Sequence, residues 1–330
     1  MLQIKNNTPF ETDMLLCPNE QAIDTLYLIT KATFNIDKNL TLAQQQLKPV
    51  KADEYWEEPG KSSIKYSSDF HIGKNNSDIQ VIGHAFSPIS KVTRQLDVSV
   101  RVGTLSKKIR VFGNRYWNNG RISEVQEFKT IPLVYEKAYG GMHVIDGKIT
   151  GFEQRNPVGI GFIGNVKNEE IDGLPLPNLE DPDDLIVSIN QNPKPVCFGV
   201  SAPQWLPRQS HSGTYDEKWK TNRAPYLPDD FDKRFNNSAH PDLVYSGFLK
   251  GGEEVEITNM HPKHTIKFTV PFVKVVSDIN MGGKSYKPGF NIETLIIEPD
   301  KLLFSMVWRA SLVCDKKALE ISDINFKLQR

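Results

Sequence analysis

The chain has 330 residues, of which 38% are hydrophobic and 24% are charged, so it can bury the core of one large domain or of two ordinary ones. Its 40 Lys and Arg residues balance its 40 Asp and Glu residues, and this net charge of zero excludes an overall field that would draw the chain to nucleic acid or to an anionic membrane. The sequence begins without the pattern of a signal peptide, and no window stays apolar for the ~20 residues of a membrane span. We therefore predict a cytoplasmic protein.

Short segments rich in β-branched and aromatic residues predict a succession of strands. The first, at residues 25–34, is followed by a turn at 37–39 and is expected to pair with the next short strand as a hairpin. At 95–102 apolar and polar residues alternate strictly, as a half-buried antiparallel strand requires. Further strands are predicted at 64–70, 79–85, 105–112, 255–258, 266–270, 292–298 and 302–313, the last of them covered on both faces.

These strands predict a mainly β fold, an antiparallel β-sandwich or barrel-like sheets with long irregular loops and little helix. A strand after residue 131 is expected to end in the Gly140-Gly141 turn, and one short helix is expected at 229–236, capped by Asp229 or Asp230. Composition divides the chain into an N-terminal β region (1–155), a loop-rich, aromatic and proline-rich middle region (156–240) and a C-terminal β region (241–330). One continuous large domain is the alternative.

Two patterns that suggest cofactors lack the context they need. The glycines at 159–164 match the spacing of a dinucleotide-binding loop, but no buried strand precedes them and nearby prolines interrupt the helix that should follow. His261 and His264 could offer two metal ligands, but Pro262 disrupts a helical pair and no third ligand is evident. The three cysteines are far apart and match neither a disulfide framework nor a zinc site. We predict no cofactor and no metal.

Two further clusters raise the question of catalysis. Asp229, Asp230 and Asp232 lie near aromatic residues, as in carbohydrate-active proteins, but helix capping and solvation explain three acids there equally well. His211 stands between two serines without the tight turn that presents a nucleophile. We therefore predict a protein that is not an enzyme and has no catalytic residues.

The stretch from 199 to 235 is the most distinctive part of the sequence. Its prolines forbid a long helix and exclude central strands, while its many aromatic residues must be buried against the same domain or against a partner. Irregular aromatic surfaces with nearby arginines are typical of protein interfaces. The candidate partner-binding residues are Trp205, Arg208, Tyr215, Trp219, Arg223 and Phe231.

This stretch and many shorter ones resemble, in one order along nearly the whole chain, a bacterial family first catalogued as a domain of unknown function and later associated with type VI secretion. The matching segments are Asn7-Thr-Pro-Phe, Lys31-Ala-Thr-Phe, Ser62-Ser, Tyr66-Ser-Ser-Asp69, Arg101-Val-Gly, Gly113-Asn-Arg-Tyr-Trp, Pro132-Leu-Val-Tyr-Glu, Gly140-Gly, Asn156-Pro-Val-Gly, Leu176-Pro-Asn-Leu-Glu, Trp205-Leu-Pro-Arg208, Gly213-Thr-Tyr-Asp216, Trp219, Pro228-Asp-Asp-Phe-Asp232, Gly251-Gly-Glu253 and Trp308-Arg309.

The resemblance implies a non-enzymatic adaptor or chaperone that binds a type VI secretion effector, often through a PAAR-like or other N-terminal loading region, and helps to mount it on the VgrG spike. VgrG or a PAAR-like protein would then be further partners. The family offers no catalytic residues to carry over. A carbohydrate-binding or carbohydrate-active β protein is the alternative expectation.

Overall fold

A computed structural model describes residues 2–88, 91–164, 171–262 and 265–329. The strands are β1 (Gln3–Asn6), β2 (Glu11–Pro18), β3 (Asp24–Asn35), β4 (Glu54–Tyr55), β5 (Ile64–Tyr66), β6 (Asp78–Val81), β7 (His84–Phe86), β8 (Gln95–Val102), β9 (Leu105–Phe112), β10 (Trp117–Asn118), β11 (Arg121–Ile122), β12 (Thr130–Pro132), β13 (Tyr139–Gly140), β14 (Met142–Ile145), β15 (Lys148–Phe152), β16 (Ile160–Gly161), β17 (Leu179–Glu180), β18 (Glu254–Thr258), β19 (Thr265–Thr269), β20 (Val275–Met281), β21 (Lys284–Tyr286), β22 (Asn291–Glu298), β23 (Leu303–Val313) and β24 (Ile321–Leu328).

Helical structure is sparse in the described residues. The α-helix α1 spans Glu217–Asn222. Short 3-10 helices lie at Tyr135–Lys137, Arg208–His211, Lys233–Asn236, Pro241–Leu243, Pro299–Lys301 and Asp315–Glu320. Within the same residues, no helix combines the length and the apolar character needed to cross a membrane. The mainly β fold with little helix that the sequence predicts is therefore confirmed.

Three sheets form the scaffold. The central sheet has the strand order β2-β3-β23-β22-β6, and all its pairs are antiparallel except β22 with β6. The second sheet has the order β17-β9-β8-β18-β19 and is antiparallel. The third sheet has the order β1-β24-β20-β21. Since β3 and β6 precede residue 155 while β22 and β23 follow residue 241, the central sheet joins strands from the first and third predicted regions.

One face of the central sheet packs against both of the other sheets. Alternate residues of a strand share a face, and Ala32 and Phe34 of β3 pack with Val100 of the second sheet in the main apolar core. Earlier on the same strand, Leu28 packs with Phe326 of the third sheet in a smaller core. With 12 residues in β3 and 11 in β23, these strands are long enough to span both layers. The sheets are packed layers rather than one closed barrel.

The first predicted hairpin forms, but it is short. The strand forms as β3, but it pairs with β2 before it and with β23 near the end of the chain. After the turn at Asp37 only a single bridge, Phe34 to Leu42, returns to β3. Strand β23 pairs with β3 along the opposite edge, and β2 occupies the edge that Leu42 joins from Asp24 to Lys31, so the local hairpin cannot extend further.

The opposite face of the central sheet is buried but charged. Lys31 Nζ lies 3.1 Å from Asp69 Oδ2, and Arg309 Nε lies 2.6 Å from Glu293 Oε2. All four side chains are at most 5% exposed. Arg309 also donates to the backbone oxygen of Asp69, so the two pairs are joined. Burying these charges is tolerable only because each one has an opposite partner.

This charged layer also fixes the end of the proline-rich stretch. Asp78 on β6 accepts a bond of 2.7 Å from Lys74 Nζ. The same carboxylate accepts from the Asn237 amide at 2.8 Å and from the Ser238 backbone N–H at 2.7 Å. Segment 236–238 is therefore attached to the central sheet by hydrogen bonds to a buried carboxylate, which are among the stronger kinds in proteins.

Candidate functional site

The aromatic lobe, defined as residues 209–234, leaves the scaffold and returns to it at neighbouring points. Before it, Trp205 is 2% exposed and packs edge-on against Tyr135, with the ring centroids 5.2 Å apart. Trp205 thus belongs to the main apolar core and offers no surface to a partner in this conformation. After the lobe, segment 236–238 joins the charged layer described above.

Arg208 links the two ends of the lobe. Its Nε donates to the Phe235 backbone oxygen and its Nη1 to the Ser201 backbone oxygen, both at 2.7 Å. The guanidinium also lies over the Phe235 ring, 5.4 Å from the centroid. Burial lowers the pKa of Arg208 from its usual value. Its partners in the chain are carbonyl oxygens, so its role here is to close the base of the lobe.

Inside the lobe, two of the segments named for the family resemblance contact each other. Asp230 accepts from the Thr214 backbone N–H at 2.9 Å and from its hydroxyl at 2.7 Å, and these bonds lower the pKa of Asp230. Gly213 has φ +82°, and a Cβ there would lie 2.9 Å from Pro228 Cβ. Only glycine fits such a close approach in that backbone conformation without strain.

The exposed aromatic residues of the lobe, Tyr215 and Tyr226, flank helix α1. Asp216 caps it by accepting from the Trp219 backbone N–H at 2.8 Å. Tyr215 and Trp219 meet edge-on with centroids 4.7 Å apart, and Trp219 Nε1 donates to the Tyr226 backbone oxygen at 2.8 Å. Tyr215 is 51% exposed and Tyr226 42% exposed. Tyr215 and Tyr226 thus form a surface cluster around the half-buried Trp219, which contacts the ring of the first and the backbone of the second.

The remaining two candidates lie on the scaffold side of the lobe. Arg223 donates to the backbone oxygens of Leu227 and Glu20 at 2.8 and 2.7 Å, which ties the lobe to the β2–β3 turn. Phe231 is partly buried and packs edge-on against Phe235 at 5.9 Å. The structure therefore brings Tyr215 and Trp219 together on the surface, while Arg208, Arg223 and Phe231 support the lobe.

The acids and hydroxyls of this stretch are used in local structure. Asp232, rather than the predicted Asp229 or Asp230, caps the 3-10 helix Lys233–Asn236. Asp229 lies 3.2 Å from Arg223 Nε. The Ser210 hydroxyl donates to the Pro207 backbone oxygen at 2.6 Å, and no bond to His211 is seen within the described residues. None of these groups is arranged as a nucleophile with its base.

The described residues contain no group of three or more His, Cys, Asp or Glu side chains able to hold a metal ion. His264 of the histidine pair lies outside the described residues. The glycine stretch at 159–164 contains the two-residue strand β16, which pairs with β13 in parallel. The cysteines Cys17, Cys197 and Cys314 are free thiols.

A second exposed apolar surface lies on a hairpin that is not among the predicted elements. Strands β14 and β15 form a hairpin in which Val144 pairs with Ile149 and Met142 with Phe152. These four side chains are 40–58% exposed, and they share one face because paired residues lie on the same side and a bulge separates Ile149 from Phe152. The other face turns toward the body of the protein, since a Cβ built on Gly151 would lie 3.6 Å from the partly buried Phe162 ring.

The sequence did contain a signal for this hairpin. Asp146 and Gly147 have φ of +48° and +75°, as an Asp-Gly turn between two strands requires. The sequence predicts a strand that ends at Gly140-Gly141, but it does not predict the hairpin that follows. In the structure, those glycines are followed at once by β14.

A cavity of about 460 Å³ lies beside the base of the lobe and is lined by Tyr135, Leu206, Pro207 and His240. His240 Nδ1 accepts from the Asp242 backbone N–H at 3.2 Å, and Nε2 lies 3.2 Å from the Pro195 backbone oxygen, to which it donates. The imidazole is therefore neutral. Burial lowers its pKa from 6.5 to about 4.

Acid is expected to destabilise the protein through this histidine. The pKa of His240 is lower in the folded than in the unfolded state, so its contribution is complete above about pH 6.5 and is lost as the pH falls toward 4. From this shift we expect a loss of roughly 3 kcal/mol between neutral pH and pH 4, which His240→Gln should largely remove. Urea unfolding of both proteins at each pH measures this difference. Equal losses in the two proteins would contradict it.

Comparison with known proteins identifies a family for the chain. No curated protein matches the chain, and no solved structure matches it either. The profile of a bacterial family, described as "Uncharacterized protein conserved in bacteria (DUF2169)", matches residues 21–309, which include β3, the aromatic lobe and most of β23. Because this match covers most of the sequence, the chain belongs to that family.

Proposed function

We propose that the protein is a non-enzymatic adaptor or chaperone that binds a type VI secretion effector and promotes its loading onto the VgrG spike. The observation that carries the proposal is the surface cluster of Tyr215, Trp219 and Tyr226 on an anchored lobe. Aromatic residues of this kind contribute much of the binding energy at protein interfaces, and a rigid support reduces the entropy lost on binding.

Three features of the site support a binding role. The lobe is fixed at its base by Arg208 and at its side by Arg223, so its exposed rings are held in place before a partner arrives. The nearby carboxylates of Asp230 and Asp232 are engaged in turns and caps rather than facing each other across a cleft. The apolar face of the β14–β15 hairpin offers additional surface of the same character.

In this proposal the effector is held through a PAAR-like or other N-terminal loading region, in the cytoplasm, until it is mounted. VgrG or a PAAR-like protein is a further proposed partner. An adaptor that binds the folded effector stabilises it by mass action, so the effector should be less abundant in cells that lack the adaptor.

The first experiment identifies the partner. The tagged protein is purified from its native cell, and the proteins that accompany it are identified by mass spectrometry. We expect one effector to be enriched, and we expect its abundance and its secretion to fall in a strain that lacks this chain. An effector that accumulates and is secreted normally in that strain would contradict the proposal.

Binding through the lobe is tested by replacing its two exposed tyrosines. Tyr215→Ser combined with Tyr226→Ser should weaken effector binding about tenfold or more, because interface aromatics are typical hot spots. The matched control is Leu319→Ser, since Leu319 is 98% exposed on a different part of the surface. Affinities come from interferometry and melting temperatures from calorimetry. Unchanged affinity in the double variant, with an unchanged melting temperature, would exclude the lobe as the binding surface.

The alternative proposal, carbohydrate binding, uses the same rings, because exposed aromatic rings also stack on sugars. A glycan array incubated with the wild-type protein and with the tyrosine double variant separates the two proposals. Retention of the wild type alone on particular glycans, with no effector recovered from cells, would favour the carbohydrate proposal.

A further inference from the structure

A groove of about 590 Å³ lies between the starts of strands β20 and β22, and it is unrelated to the aromatic lobe. Aromatic side chains supply much of its wall, among them Phe248, Phe290 and Trp308. Phe272 stands at its edge and is 80% exposed. The volume lies within the range of about 300–1,000 Å³ that is usual for binding pockets.

The Gly251-Gly-Glu253 segment holds Phe272 in place. Gly251 and Gly252 have φ of +91° and +88°, and a Cβ on Gly252 would lie 2.4 Å from Phe272 Cζ. The Glu253 carboxylate fixes this turn by accepting from the backbone N–H groups of Lys250 and Gly251 at 2.8 and 3.0 Å. One face of the Phe272 ring is therefore seated on a glycine turn, while most of the residue remains exposed to solvent.

The charge of the groove has one sign. Lys250 and Lys274 line it, and among the described residues no acidic side chain lines it. Neither lysine forms an ion pair with another residue in the described ranges, whereas the neighbouring carboxylate of Glu253 is bound by backbone N–H groups. The groove thus combines exposed apolar surface with two ammonium groups that are free to meet carboxylates.

We propose that this groove binds an apolar segment of a partner protein that carries Asp or Glu beside aromatic or large aliphatic residues. The apolar side chains would cover Phe272 and fill the groove against Phe248 and Phe290. The acidic side chains would pair with Lys250 and Lys274. Such complementarity mainly gives specificity and fast association, while the buried apolar groups supply affinity. The proposal is independent of the function assigned to the lobe.

A phage-displayed library of random linear peptides, selected against the full-length protein, tests this chemistry. We expect the selected peptides to combine acidic with aromatic or large aliphatic residues. Their affinity, measured by fluorescence anisotropy, should fall about tenfold or more in Lys250→Glu/Lys274→Glu, and it should weaken as salt is added. Phe272→Ala should weaken the same peptides while leaving the charges of the groove intact.

Two controls separate the groove from general surface charge and from loss of folding. Lys316→Glu/Lys317→Glu reverses two exposed charges elsewhere, and Leu319→Ala removes another exposed apolar side chain. Both should leave peptide binding unchanged, and all variants should keep the melting temperature of the wild type. Selected peptides that lack acidic residues, or that bind the groove variants as tightly as the wild type, would overturn the proposal.

A membrane is the other surface that an exposed phenylalanine between lysines could contact. Vesicles of phosphatidylcholine with phosphatidylserine are therefore included in a sedimentation assay with the same variants. We expect no sedimentation above that seen with phosphatidylcholine alone. Suppose instead that vesicle binding is lost in Phe272→Ala and in Lys250→Glu/Lys274→Glu, and that no groove-dependent peptides are selected. The groove would then bind an anionic lipid surface and not a protein segment.

Discussion

Glu293→Ala is expected to lower the free energy of unfolding by roughly 3–5 kcal/mol, because it leaves the Arg309 guanidinium buried without its carboxylate. Arg309 Nε lies 2.6 Å from Glu293 Oε2, and both side chains are at most 5% exposed. Glu293 also accepts from the Lys74 backbone N–H at 2.9 Å. The substitution therefore removes a partner from a charge and from a backbone group that are both out of water.

Urea unfolding of the wild-type and variant proteins measures this loss. The matched control is Asp97→Ala, because Asp97 pairs with Arg110 at 2.8 Å but both side chains are about one third exposed. An exposed pair of this kind contributes only about 0–1 kcal/mol. A second variant, Glu293→Leu with Arg309→Met, removes both charges and should be less destabilising than Glu293→Ala alone. Equal losses for Glu293→Ala and Asp97→Ala would show that the buried pair has no special role.

Trp205→Ala is expected to lower the free energy of unfolding by roughly 3–5 kcal/mol, as large-to-small substitutions of buried aromatic residues do. Trp205 is 2% exposed and packs against Tyr135 in the main core. The substitution would leave a cavity directly under the base of the lobe. Any loss of partner binding in this variant should follow from unfolding, and it should be recovered at lower temperature or on adding a stabilising osmolyte.

Tyr215→Ala is the matched comparison for Trp205→Ala. Tyr215 is 51% exposed, so its replacement should change the free energy of unfolding by only about 0.5 kcal/mol while directly weakening partner binding. Chemical unfolding and effector affinity, measured on both variants, give two independent readouts. If Trp205→Ala keeps the wild-type stability but loses binding, Trp205 contacts the partner and its role is not confined to the core.

The scaffold strands could be predicted because their signals are local. The alternation at 95–102 corresponds to β8, whose bounds are those predicted, and the apolar run before residue 313 corresponds to β23. The pairing of β3 with β23 could not be predicted, because partners so distant in sequence leave no local pattern. Helix α1 was missed since it has only six residues and prolines follow it closely, although Asp216 is a normal N-cap.

The sequence predicts which stretch of the chain holds the candidate site, but not which residues of that stretch lie on the surface. Trp205 and Trp219 are both aromatic residues near prolines, and only the fold shows that one lies in the core and the other on the lobe. Likewise, Lys31 and Arg309 stand in strands that read as largely apolar, and the carboxylates that allow their burial come from other segments. Local sequence shows which aromatic or charged residues lie near each other in the chain. Whether their side chains are buried depends on contacts with distant segments, which only the fold shows.

The pairing of β3 with β23 also has a consequence for synthesis of the protein. The two strands that form the middle of the central sheet are separated by residues 36–302, so the sheet cannot close until most of the chain has left the ribosome. At about 5–20 residues per second, β3 waits on the order of tens of seconds for its partner. During that time its apolar face and unpaired edge are open to aggregation. We therefore expect the nascent chain to need protection from aggregation until β23 has been synthesised.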